Sequence, residues 1–73
     1  MDSANRERLE LRLGQFLKLA NMVGSGGEGK VAIQNGEVKV NGEVETRRGR
    51  HLCLSDVVEF RGRRVDVASI IKD

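Results

Sequence analysis

A chain of 73 residues and 8.1 kDa holds one small domain, which on size scaling buries only about 60% of the surface its unfolded chain exposes. There is room for one core and none for a deep cleft. Hydrophobic residues at 38% and charged residues at 33% exclude a disordered chain, while a single Cys53 and a single His51 exclude a disulfide scaffold and an ordinary Cys/His zinc site.

Residues 1–10 are polar and alternate in charge up to Leu9, so they read as a flexible or helical tail; a single domain is expected over 11–73. Leu13, Phe16, Leu17 and Ala20 then fall at i, i+3, i+4 and i+7, the stripe of a short amphipathic helix with Lys18 pointing outward. Asn21 to Gly24 ends it. Ser25-Gly26-Gly27-Glu28 has the form of a capping box opening a second helix through Val31, Ala32 and Ile33, with Gly36 just past its end.

The period then changes to two. Val38 and Val40 alternate with Glu37 and Lys39, Asn41-Gly42 is a strong hairpin signal, and Val44 begins the return strand. Glu37, Glu43 and Glu45 read as cross-strand partners of Lys39. Thr46 to His51 is a basic loop, Leu52-Cys53-Leu54 re-enters the core with Cys53 as a small buried residue, and Ser55-Asp56 turns. Val57, Val58 and Phe60 form a strand, Arg61-Gly62 turns it, and Val65 and Val67 return. The expected class is α+β: two short N-terminal helices packed on a small, mostly antiparallel sheet of hairpins.

Net charge is only +2, yet its layout is uneven. Residues 46–64 carry six arginines against Asp56 and Glu59, in two clusters: Arg47, Arg48, Arg50 and Arg61, Arg63, Arg64. Arginine's planar fork suits phosphate. Gly24 to Lys30 matches two nucleotide-binding signatures, G-x-G-x-x-G and G-x-x-x-x-G-K, but Val31 stands where magnesium chemistry needs Ser or Thr, and a helix is expected where those folds place a strand. The backbone N–H groups at Ser25, Gly26 and Gly27 are a candidate phosphate-binding helix start. His51 lacks an acid partner for catalysis. No catalytic residue, metal or cofactor is expected.

The pattern Ser25-x-x-Glu28-Gly29-x-x-x-Ile33-x-x-Gly36-x-Val38-x-Val40-Asn41-Gly42, with Arg12-Leu13 before it and Asp56-Val57-Val58 after it, resembles the αL motif of the ribosomal protein S-four family of RNA-binding domains, in particular a small stand-alone bacterial branch. The likeness spans residues 11–67. Gly14 stands where that family usually has Asp, and Gly26 where it usually has Arg. The resemblance implies a helix-turn-helix-like basic face contacting structured RNA through Arg12, Lys30, Lys39, Arg47, Arg48 and Arg50. Both aromatics, Phe16 and Phe60, occupy apolar-face positions, which disfavours base stacking.

The expected function is therefore a non-enzymatic, RNA-binding, ribosome-associated protein whose partners are ribosomal or transfer RNA, the ribosome or its assembly intermediates. Three other readings remain: an assembly factor whose arginine loop meets an acidic protein, a nucleotide-binding protein using Gly24 to Lys30, and a DNA-binding protein. No apolar run approaches the roughly 18 residues of a membrane span, and the polar start Met1 to Arg6 is unlike a signal peptide. A cytoplasmic protein with no membrane contact is expected, and nothing indicates an oligomer.

Overall fold

The computed structural model describes residues 8–71. The chain runs β1 (Arg8–Arg12), α1 (Leu13–Leu19), α2 (Gly26–Gln34), β2 (Val38–Val40), β3 (Glu43–Val44), β4 (His51–Cys53), β5 (Val57–Phe60), β6 (Arg63–Asp66) and α3 (Val67–Ile71). A four-stranded antiparallel sheet has the order β3-β2-β5-β6, and β1 pairs with β4 in a second, two-stranded sheet. The class is α+β as expected.

Both N-terminal helices end in the same device. Asn21 (φ 60) and Gly36 (φ 77) adopt left-handed conformations. At α1 the N–H groups of Asn21 and Met22 donate to the carbonyls of Lys18 and Leu17; at α2 those of Gly36 and Glu37 donate to Ile33 and Ala32. These are paired Schellman bonds, which satisfy carbonyls that a helix end leaves orphaned. At the start of α2 the Ser25 hydroxyl accepts from the Glu28 N–H at 3.1 Å, while the Glu28 carboxylate reaches one residue further back than a standard capping box, to the Gly24 N–H at 2.8 Å.

The helical stripe and the inner strand positions meet in one core. Leu13, Phe16, Leu17, Ile33, Val38, Leu52, Val58 and Val67 are fully buried, each contributing roughly 1.5–3 kcal/mol by removal from water. The Asn41-Gly42 and Arg61-Gly62 turns carry positive φ at both central residues, as two-residue hairpins of this hand require. Asn41 does more than turn: its side chain donates to Asp56 Oδ1 (2.9 Å) and accepts from the Val57 N–H (3.0 Å), tying the first hairpin to β5.

Three expectations are corrected. Arg8 to Glu10 are strand, not tail: Leu9 and Leu11 are half-buried against the core, and β1 is held by pairing with β4. Residues 1–7 of the expected tail lie outside the described residues. Val67 does not continue β6 but opens α3, its N–H donating to the Asp56 carbonyl at 3.0 Å. Of Leu52-Cys53-Leu54 only Leu52 is fully buried, and Cys53 is half-buried.

Candidate nucleic-acid interface

Four N–H groups at any helix start lack intrahelical partners. At α1 two of them are taken by the arginine loop: Leu13 N–H donates to the Arg50 carbonyl (2.9 Å) and Gly14 N–H to the Arg48 carbonyl (3.1 Å). The Gln15 side chain accepts from the Arg12 N–H (3.0 Å). The loop is therefore docked on the helix, and glycine at position 14 leaves room for it. A methyl there would lie 2.7 Å from Arg48 Cγ, so the arginine stem crosses α1 where a side chain would otherwise stand.

Beneath the loop lie two buried carboxylates, Glu45 and Asp56. Glu45 accepts from the Arg47 N–H (2.9 Å), Arg47 Nε (3.0 Å) and Nη2 (3.3 Å), and Arg50 Nη1 (3.1 Å). The Arg47 side-chain bond holds its pKa down at about 2, against the opposing effect of burial, and the Arg47 N–H and Arg50 add to the lowering. Arg47 is raised in turn by the same carboxylate. Asp56 accepts from the Cys53 N–H (2.8 Å) and from Asn41, with Arg50 Nη2 at 3.9 Å. Glu45 is thus no cross-strand partner of Lys39; it anchors the loop. Glu37 instead faces Arg61, Nη2 to Oε1 3.5 Å.

Between the loop and the two helices lies an open hollow of about 620 Å³ lined by Arg12, Lys18 and Arg48, with Gly14, Gly26 and Gly49 among its walls and Glu10 as its one carboxylate among the described residues. None of the three cations has an ion-pair partner among the described residues. Of the residues expected at a basic face, Arg12, Arg48 and Gly26 therefore converge. Lys18 joins them, since it lies one turn from Gly14 on the same face of α1; that spacing was visible in the sequence, but the docking of the loop on that face was not.

The remaining expected residues lie elsewhere. Arg47 is 76% exposed and Arg50 30%, and both line a second hollow on the other side of the loop. Lys30 is exposed on α2 but lines neither hollow, and Lys39 projects from the outer face of the four-stranded sheet, between Val44 and Glu59. Ser25 is engaged by Glu28. The glycine-rich stretch follows helix α1 and not a strand, and Lys30 sits within α2, so the phosphate-loop context is missing. Phe16 and Phe60 are buried, leaving no aromatic platform for bases.

A hairpin sheet carrying two antecedent helices, with a basic loop docked on the first of them, defines a helix-turn-helix-like module. The chain belongs to the S4 domain family, whose pattern matches residues 6–68. It is 52% identical over 52 residues to the "Probable ribosome maturation protein RlbA" of Bacillus subtilis, covering 71% of this chain and 73% of that protein. It is 39% identical over 59 residues to the "Putative RNA-binding protein YbcJ" of Escherichia coli, covering 81% and 84%. Among the described residues no helix is long and apolar enough to cross a membrane.

Proposed function

We propose that this chain is a non-enzymatic module that binds structured RNA, ribosomal or transfer, by its phosphodiester backbone, acting in the cytoplasm on the ribosome or its assembly intermediates. The observation that carries the reading is the hollow in which Arg12, Lys18 and Arg48 converge over glycine walls, without an ion-pair partner among the described residues. Family membership and the names of the two relatives support it.

Each residue then has a role that follows from its surroundings. Arg12, Lys18 and Arg48 hold phosphates, and the first N–H groups of α2 at Gly26 and Gly27 favour a further anion at the mouth. Arg50, tied to Glu45 and Asp56, keeps the loop in shape. With the two aromatics buried, recognition proceeds through phosphate and shape, the mode suited to A-form RNA.

If about five phosphates are neutralised, the logarithm of affinity falls with the logarithm of salt concentration at a slope of roughly −3.5 to −4.5. A titration of ribosomal RNA at several salt concentrations measures this slope, and a flat response contradicts the electrostatic reading.

A further inference from the structure

The tip of the arginine loop has basic ground on both sides. Gly49 is a wall of the hollow described above and also of a second hollow, of about 570 Å³, lined by Arg8, Arg47, Arg50, His51 and Cys53. Among the described residues no carboxylate lines the second hollow. Glu45 lies buried under the loop, and Arg47, though bonded to it through Nε and Nη2, keeps its Nη1 donors and most of its surface free.

Arg8 reaches this side because β1 is irregular. Arg8 stands opposite Cys53 and Arg12 opposite His51, so a four-residue step on β1 faces a two-residue step on β4. The His51 ring nitrogen Nδ1 donates to the Leu9 carbonyl at 2.8 Å and ties the bulged strand down. Two arginines from one short strand thereby arrive in different hollows.

Gly49 itself has no internal reason to be glycine. Its φ is outside the left-handed region, and a methyl added there would meet nothing within 4 Å. A bare backbone between two cationic hollows suits close approach of a ligand from both sides. A single strand fills one such hollow. Two hollows that share Gly49 offer a place for each of the two backbones beside a groove of a double helix.

We propose that the second hollow is a phosphate site, and that the Arg48-Gly49 tip lies across one groove of an RNA double helix, with one strand's backbone in each hollow. The proposal rests on the RNA reading above and names the form of RNA. It is tested by fluorescence anisotropy of the full chain with an RNA duplex of about 16 base pairs and with one of its strands alone, at several salt concentrations.

Arg8→Ala, at an exposed position, is expected to weaken duplex binding about five- to tenfold, reduce the salt slope by about one and change single-strand binding less than twofold. Lys18→Ala is expected to weaken both. Gly49→Val is expected to weaken duplex binding while circular dichroism shows the fold intact. Duplex binding unchanged by Arg8→Ala and Gly49→Val, or equal losses on duplex and single strand in Arg8→Ala, overturns the two-strand proposal. If Lys18→Ala also changes neither, the RNA reading fails with it.

Discussion

The chain carries two arginine clusters of the same make-up, Arg47-Arg48-Gly49-Arg50 and Arg61-Gly62-Arg63-Arg64, and each lies at a bend. In the second, positive φ at Arg61 and Gly62 builds a tight hairpin, and the side chains turn back on the protein. The Arg61 guanidinium lies 4.9 Å from the centre of the Phe60 ring and 3.5 Å from Glu37, Arg63 donates to the Asn21 carbonyl at 3.5 Å, and Arg64 sits opposite Glu59. In the first, backbone carbonyls dock on α1, buried Glu45 and Asp56 take Arg47 and Arg50, and Arg48 is left without an ion pair among the described residues. Composition alone does not tell these clusters apart. The placement of the carboxylates does: buried anchors under the first loop fix its shape, whereas the one ion pair of the second among the described residues, Arg61 with Glu37, lies at the surface.

The sharpest way to break that contrast is to remove an anchor. Glu45→Ala should cost about 2–3 kcal/mol, because it leaves two arginines without a charge-assisted acceptor, and should weaken RNA binding through loss of loop shape. Glu37→Ala, which removes the surface partner of Arg61, should cost under about 0.5 kcal/mol, as exposed pairs do. Urea unfolding compares them, and equal losses would erase the distinction.

The same anchor predicts a pH dependence. A carboxyl depressed to about 2 contributes stability that is full above its unfolded value, about 4.3, and is lost as pH falls through the folded value. Urea midpoints measured between pH 5 and pH 2.5 should fall more steeply in the native chain than in Glu45→Gln.

Smaller effects separate the clusters on the binding side. Arg48→Ala should weaken RNA binding about tenfold, about 1.4 kcal/mol, with stability changed by under about 0.5 kcal/mol; Arg64→Ala should change affinity less than twofold. Gly14→Ala sets a helix-propensity gain of about 1 kcal/mol against displacement of the Arg48 stem. The expected result is near-native stability with affinity reduced a few-fold, read by anisotropy and thermal unfolding.

Local chemistry made much of this legible. The Leu13 to Ala20 stripe, Ser25 with Glu28, Gly36, and the two X-Gly turns each act within a few residues, and their elements form as expected. What was not legible depends on distant partners. In β1 the alternation of Arg8, Glu10 and Arg12 hid a period of two at Leu9 and Leu11, because its only pairing is with β4 some forty residues away. Val65 and Val67 both read as strand, but the Val67 N–H donates to the Asp56 carbonyl and the Ser69 hydroxyl to the Asp66 carbonyl, and from Val67 the segment is helix. Glu45 fitted a strand-surface pattern, and only the fold shows it buried beneath the loop. Arg12 and Arg48, expected from the sequence at a basic face, line the same hollow; Lys18 needed the loop to be seen lying on α1.

The central claim is that the cationic hollow of the docked loop, and not arginine content, carries RNA binding. It is tested most directly by comparing two triple variants of the full chain for affinity to ribosomal RNA, with folding checked by circular dichroism. Arg12→Ala, Lys18→Ala and Arg48→Ala combined should lower affinity by about a hundredfold or more, whereas Arg61→Ala, Arg63→Ala and Arg64→Ala combined should lower it by less than about fivefold, since only the first set removes phosphate contacts. Equal losses, or a larger loss in the second set, would contradict the account.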